Sequence, residues 1–246
     1  MRTVAVLFAS ARASVVRLGG LGALGIALLL SCSSCGASID PAMKASIDGQ
    51  VAALGQTTTT YEAPTSTQPM PLAPGQWTRL KLVAKDGRPS FATYKIVGQE
   101  GDAFWVEVVN ERYTGRTIVK MLVAYGDRTD PNQLDIRALV VKLKDRDPID
   151  YKEPLLSIVK GTYKTVAEGI VIRWEGLPQE TKKVLAGTFT SAYKADTQVS
   201  LWGFTSRAKT WSHSAVPIQG LVHSDGDDGS TIDLVAFGMS GATSDL

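Results

Sequence analysis

From Trp77 onward, apolar and polar residues alternate with a period of two along most of the chain, the signature of half-buried β-strands. Trp77–Val83 and Ser90–Val97 carry this alternation on either side of Lys85-Asp86-Gly87-Arg88, a hairpin turn. Gln99-Glu-Gly-Asp102 then turns the chain into Ala103–Asn110, and Tyr113-Thr-Gly-Arg116 turns it into Thr117–Tyr125. Leu134–Leu143 follows the polar loop Asp127–Gln133. Consecutive strands joined by short turns predict an antiparallel meander, because parallel neighbours need crossovers of a dozen residues or more. A second β set comprises Glu180–Ala186, Gly187–Lys194, Thr197–Phe204, Ala208–His213, Gly220–Ser224 and Thr231–Phe237, preceded by a short strand at Gly169–Trp174. Between the two sets, Pro154–Glu168 places Leu155, Ile158, Val159, Thr162 and Val166 on one helical face, with Gly161 weakening the helix. The pattern therefore predicts a mainly β (α+β) fold: a curled antiparallel sheet of about ten strands, a half-open barrel or β-clam, with one or two short helices. No period of 20 to 50 residues repeats, which argues against a propeller or solenoid.

Upstream of Trp77 the pattern changes twice. Asp40-Pro41 is a helix start, with Asp as N-cap and Pro at the first helical position, and Met43, Ile47, Val51 and Leu54 follow on one face until Gly55. This short helix either packs on the body or lies near a membrane. Gln56–Gly75 is rich in Thr and Pro and reads as a spacer with too little apolar content to build a core. At the amino terminus, Arg2, Arg12 and Arg17 precede an apolar stretch, Leu18–Leu30, and no acid occurs among the first 31 residues. That stretch has 13 residues, the length of a secretory signal core and short of the roughly 20 that span a bilayer. The domain organisation follows: 1–31 signal peptide; 32–75 a lipidated cysteine, short helix and linker; 76–241 a single β-rich domain.

The apolar stretch ends in Leu29-Leu30-Ser31-Cys32, which resembles the processing box of bacterial lipoproteins. The resemblance implies cleavage before Cys32 and acylation of its thiol. One acyl chain binds membranes marginally, whereas two or more anchor stably, so Cys32 would be a lasting tether. Ser33, in place of Asp, implies by resemblance to the Gram-negative sorting rule an outer-membrane location facing the periplasm. Cys35 is the one other cysteine, so no internal disulfide forms once Cys32 carries lipid. It reads as a linker residue, with a free thiol, a second acylation point or an intermolecular bridge as alternatives.

Removing residues 1–31 takes three of the 26 basic residues and none of the 24 acidic ones, leaving 23 against 24 and a net charge of about −1. Both signs are interspersed along every segment, so nothing suggests a nucleic-acid partner. His213 and His223 are the only histidines. Either could pair with Asp225 or Asp227, but a metal site needs three or four converging ligands, and surface or sheet-edge histidines are expected instead. Asp225-Gly-Asp-Asp-Gly229 lacks the offsets of a calcium loop and reads as a hairpin turn. Gly238-Met-Ser240-Gly-Ala is not a nucleophile elbow: it falls short of G-x-S-x-G, and no histidine follows it. No catalytic residue, metal or cofactor is assigned, and a non-enzymatic protein is expected.

Aromatic residues in the strands either fill the core or line a cavity; the candidates for a pocket are Trp77, Phe91, Trp105, Phe189 and Trp211. Val184-Leu-Ala-Gly-Thr-Phe189, then Trp211, Val216-Pro217 with Gly220-Leu-Val222, and Leu234-Val-Ala-Phe-Gly238 resemble periplasmic lipoproteins of the lipoprotein-carrier-like (LolA/LolB-like) class. The resemblance covers roughly Gly75 to Gly238 and implies a curled sheet closed by helices over an apolar concavity. It brings no catalytic residue with it. The long Thr/Pro spacer departs from the class, as does the lack of a recognisable protruding loop. The expectation is a membrane-tethered, non-enzymatic envelope protein binding an acyl chain or other apolar ligand. The alternative is a structural or interaction subunit of an envelope complex with no ligand cavity, whose partners are other envelope proteins.

Overall fold

The computed structural model describes residues 38–62, 70–128, 130, 133–168, 174–201 and 204–246. The signal segment, Cys32, Cys35, Trp202 and most of the short strand expected at Gly169–Trp174 lie outside the described residues. Twelve strands form one curled, unclosed sheet with two short helices. In chain order the elements are α1 (Pro41–Ala52), β1 (Thr60–Tyr61), β2 (Trp77–Val83), β3 (Pro89–Glu100), β4 (Ala103–Arg112), β5 (Gly115–Tyr125), β6 (Leu134–Lys142) and β7 (Ile149–Tyr151). They continue with α2 (Leu155–Glu168), β8 (Gln179–Val184), β9 (Gly187–Leu201), β10 (Phe204–Ser212), β11 (Leu221–Gly226) and β12 (Thr231–Gly238).

The sheet order is β1-β9-β10-β11-β12-β2-β3-β4-β5-β6-β7, with β8 on the other edge of β9. The meander expected from the first half is β2 to β6, antiparallel throughout, and β12 joins the two halves by pairing with β2. One pair, β1 with β9, is parallel. The segments expected as separate strands at Gly187–Lys194 and Thr197–Phe204 belong largely to one long strand, β9. It is bent where Ser191 takes a positive φ of 57°, beside a register shift opposite Glu180 and Lys182. That bend lets the start of β9 hold β1 and β8 while its remainder pairs with β10. Although no protruding loop is legible in the sequence, β9 and β10 pair on for four residues beyond Ala208, the last residue of β10 matched to β11.

Cross-strand partners share a face, and two rows define the core side: Tyr94–Val108–Val119–Val141 and Ile96–Val106–Met121–Leu139. All eight side chains are buried and belong to one hydrophobic cluster. Leu156 of α2 is buried in the same cluster, with Val159 and Tyr163 packed against it, so α2 covers the open side of the sheet near β6 as anticipated.

The Gln56–Gly75 segment, read from sequence as a spacer, is fastened to the body at several of its described residues. Thr57 donates its amide to Leu185, and Thr59 accepts from Thr188, both at 2.9 Å. Tyr61 stacks on Phe189 with ring centroids 4.7 Å apart. Leu72 is buried in the core, and Gly75 and Gln76 exchange backbone hydrogen bonds with Ile96. The physical reason is that Thr- and Pro-rich chain suits an extended sheet-edge strap as well as a solvated linker.

Candidate functional site

Strand parity divides the five aromatic candidates. Trp77, Phe91 and Trp105 occupy positions that alternate with Thr78, Tyr94 and Val106, so their side chains lie on the face opposite the core rows. By parity Trp211 is in register with this face, in a row running Trp211–His223–Asp233–Lys81–Phe91–Glu111–Arg116 across seven strands. Phe189 and Trp211 both pack into the main hydrophobic cluster, Phe189 fully buried among Tyr61, Phe237 and His213 and Trp211 at its margin under β8. The five residues therefore do not converge on one pocket: Phe189 and Trp211 fill core, the other role expected of strand aromatics, and Trp77, Phe91 and Trp105 face the other side of the pleat.

The outer face carries charges as well as rings, and cations cover Phe91, Trp105 and Trp211. Arg79 lies 4.7 Å over Phe91 while donating to Glu111 at 2.8 Å. Lys120 lies over Trp105, whose indole N–H donates to Glu100 at 2.7 Å. Lys182 of β8 lies 3.7 Å over Trp211, and Glu180 of the same strand accepts from the Trp211 indole N–H. That hydrogen bond, with Lys194, holds the Glu180 carboxyl below the usual carboxylate range.

His223 sits beside Trp211 with its two ring nitrogens against two carboxylates: Nδ1 is 2.7 Å from Asp233 and Nε2 is 2.8 Å from Asp225. Burial pushes the Asp233 carboxyl up, and the His223 hydrogen bond and charge outweigh this, leaving it below its ordinary value. Asp225 also faces Lys182 at 3.8 Å. This constellation ties β11 to β12 and to the β8 edge, and every member has a partner within the protein. Asp225–Gly229 forms the expected hairpin turn, closed by the Gly226 amide donating to Ser230.

The expectation of a surface or sheet-edge histidine fails for His213, which is fully buried. Its Nδ1 accepts from the Ala215 amide at 3.1 Å, so the ring proton sits on Nε2 and is donated to the Thr190 carbonyl at 3.0 Å. Burial lowers its pKa, and both nitrogens are committed to backbone, which makes it a core residue and not a ligand.

A second cluster on the outer face clamps the carboxyl-terminal segment. Glu107 is fully buried at the centre of the row Trp77–Lys95–Glu107–Lys120. It accepts from the Ser244 hydroxyl at 2.6 Å and the Asp245 amide at 2.9 Å and pairs with Lys95 at 3.2 Å. Asp245 in turn pairs with Lys95 and Arg116. Sequence reading missed this clamp; its one local signal is a glutamate at the centre of an otherwise apolar strand, Val106-Glu107-Val108-Val109.

No family model and no curated protein matches the chain. Two solved structures share a likeness at 13% identity each. A hypothetical protein from Chlamydia trachomatis, CT021, aligns over 70% of this chain and 90% of its own with a TM-score of 0.37. A protein from Bacteroides fragilis, assigned as exported and with a YmcC-like fold, aligns over 68% and 97% with a TM-score of 0.30.

The inner face also carries polar atoms. Thr78 Oγ1 donates to Gln219 Oε1 at 3.1 Å, beside Tyr94, the cross-strand partner of Thr78. Tyr94 Oη and Gln219 Nε2 are buried without a hydrogen-bond partner among the described residues. A hydrocarbon chain offers such groups nothing, and an unmet buried donor costs about 1–3 kcal/mol.

Proposed function

We propose that this chain is a membrane-tethered, non-enzymatic envelope protein that works through its outer surface as a structural or interaction component, and not by holding an acyl chain inside. The observation that carries this reading is the inner face of the sheet: its two central rows are buried by the protein's own side chains and by α2, and three of the five aromatic candidates, Trp77, Phe91 and Trp105, lie outside that cluster on the opposite side. Burial at this level makes the interior a packed core, worth roughly 1.5–3 kcal/mol per large side chain to folding.

The surface offers a place for a protein partner. Ile149, Leu155 and Ile158 are exposed, the last by 73%, and they lie at the edge of the sheet where β7 pairs with β6 alone among the described strands. An unpaired strand edge flanked by exposed apolar side chains is a template for pairing with another chain. The tether rests on the Leu29–Cys32 box and the arginine-led apolar segment before it. Fractionation tests it: Cys32→Ala is expected to move the protein from the membrane to the soluble envelope fraction. A Cys32→Ala variant that still sediments with membranes would contradict the lipid anchor.

A further inference from the structure

The docking of α1 fixes how far the body can stand from the lipid, an inference that rests on acylation at Cys32. Asp40 caps α1, accepting from the amides of Ala42 and Met43. Its own amide donates to Tyr113 in the β4–β5 turn at 2.7 Å, and its carboxylate pairs with Lys144 in the β6–β7 turn at 2.5 Å. Tyr113 Oη donates to Asp48, and Ile47 is fully buried, so the helix is fastened along its length. Seven residues, Ser33 to Ile39, therefore separate the anchor from the first docked residue, not the forty or so that a loose helix and spacer would supply. Their longest possible reach is about 28 Å.

The register places Asp40 at one end of the sheet. Val83 pairs with Pro89, Phe91 with Glu111, Arg112 with Gly115 and Ile118 with Lys142, so the β2–β3, β4–β5 and β6–β7 turns share the end where Asp40 docks. The β3–β4 turn at Gly101 and Asp102 lies at the other end. β4 alone spans ten residues, so the two ends are about 30 Å apart. Inverting the body would demand the longest reach that seven residues allow, whereas the Asp40 end lies at the point of attachment.

We propose that the Asp40 end of the sheet, with the exposed turns Ala84–Arg88 and Leu143–Pro148, is the membrane-facing surface, and that the β3–β4 end points away from the lipid. The occupant of this surface is the bilayer that carries the anchor. The turns mix both signs, Lys85, Arg88, Lys144 and Arg146 with Asp86, Asp145 and Asp147, so proximity is set by the tether and not by a basic patch.

The test uses the full lipid-anchored chain in phosphatidylethanolamine/phosphatidylglycerol vesicles bearing a trace of headgroup-labelled acceptor lipid. In a Cys35→Ser background, a donor dye is attached through Asp147→Cys or, at the far end, Gln99→Cys. Energy transfer from position 147 is expected to exceed that from position 99 several-fold. Inserting about 20 Gly/Ser residues between Ser38 and Ile39, which lengthens the relaxed tether to about 29 Å, should remove the difference. Equal or reversed efficiencies with the native tether would overturn the orientation. A chain that fails to float with the vesicles at all would overturn the lipid anchor, and the inference with it.

Discussion

Phe189 and His213 show what a single position can decide. Each is fully buried, their rings meet edge to face at 5.3 Å, and Tyr61 closes the other side of Phe189. Phe189→Ala should cost about 3–5 kcal/mol, seen as a lower denaturation midpoint in urea. His213 is neutral in the fold because burial lowers its pKa below the ordinary 6.5. The unfolded chain then binds the extra proton first, so this contribution is complete above about pH 6.5 and is lost as the pH falls towards the folded value. His213→Gln should remove that component, and the stability gap between the two proteins should narrow on acidification. A gap independent of pH would show that folding leaves the His213 pKa unshifted, and a gap that widened on acidification would show that the fold favours the charged ring. The sequence names both residues but not their burial: His213 follows Trp211 across a register shift between Trp211 and Ser212, which no local alternation reveals.

At the scale of elements, the strap and the clamp attach polar ends to an otherwise self-contained sheet. Gly187 has a φ of +139°, and a Cβ there would lie 2.5 Å from the Thr59 carbonyl and 2.9 Å from the Tyr61 ring. Gly187→Ala should push β1 off β9, and limited proteolysis should then cut within Gln56–Glu62 faster than in the parent. Asp40→Ala should cost about 1 kcal/mol through the lost N-cap. Asp245→Ala should change global stability by less than about 1 kcal/mol, since its ion pairs are partly exposed, while amide exchange across Ala242–Leu246 rises sharply. The meander from β2 to β6, its turns, α1 with its cap, and α2 over the open side were all legible, because each has a local signature of period, turn residues or capping. β1, β7 and the continuity of β9 were not. β1 is held by Phe189 and Thr188, far along the chain, and β9 passes through a positive-φ serine where alternation breaks. The candidate site suffered most, because parity within a strand says which residues share a face but not which face is covered.

For the whole molecule, these attachments shorten the chain available as a tether, so a lipid on Cys32, as proposed, would hold the body close to the membrane. Leu155 and Ile158 stay exposed on α2, so Leu155→Asp with Ile158→Asp should alter stability by no more than about 0.5 kcal/mol, whereas Met121→Asp in the core should prevent folding. Circular dichroism during thermal unfolding separates the two outcomes. The acyl-binding alternative makes the opposite demand on the interior: it needs space where Ile96, Val106, Met121 and Leu139 now pack. Native mass spectrometry of the full chain, released from membranes in mild detergent, weighs the two directly. A protein that works through its surface should appear at the mass of the chain plus the covalent lipid on Cys32. A population carrying further non-covalent lipid, lost when Met121→Trp fills the inner face, would contradict the packed interior and restore the acyl-chain reading.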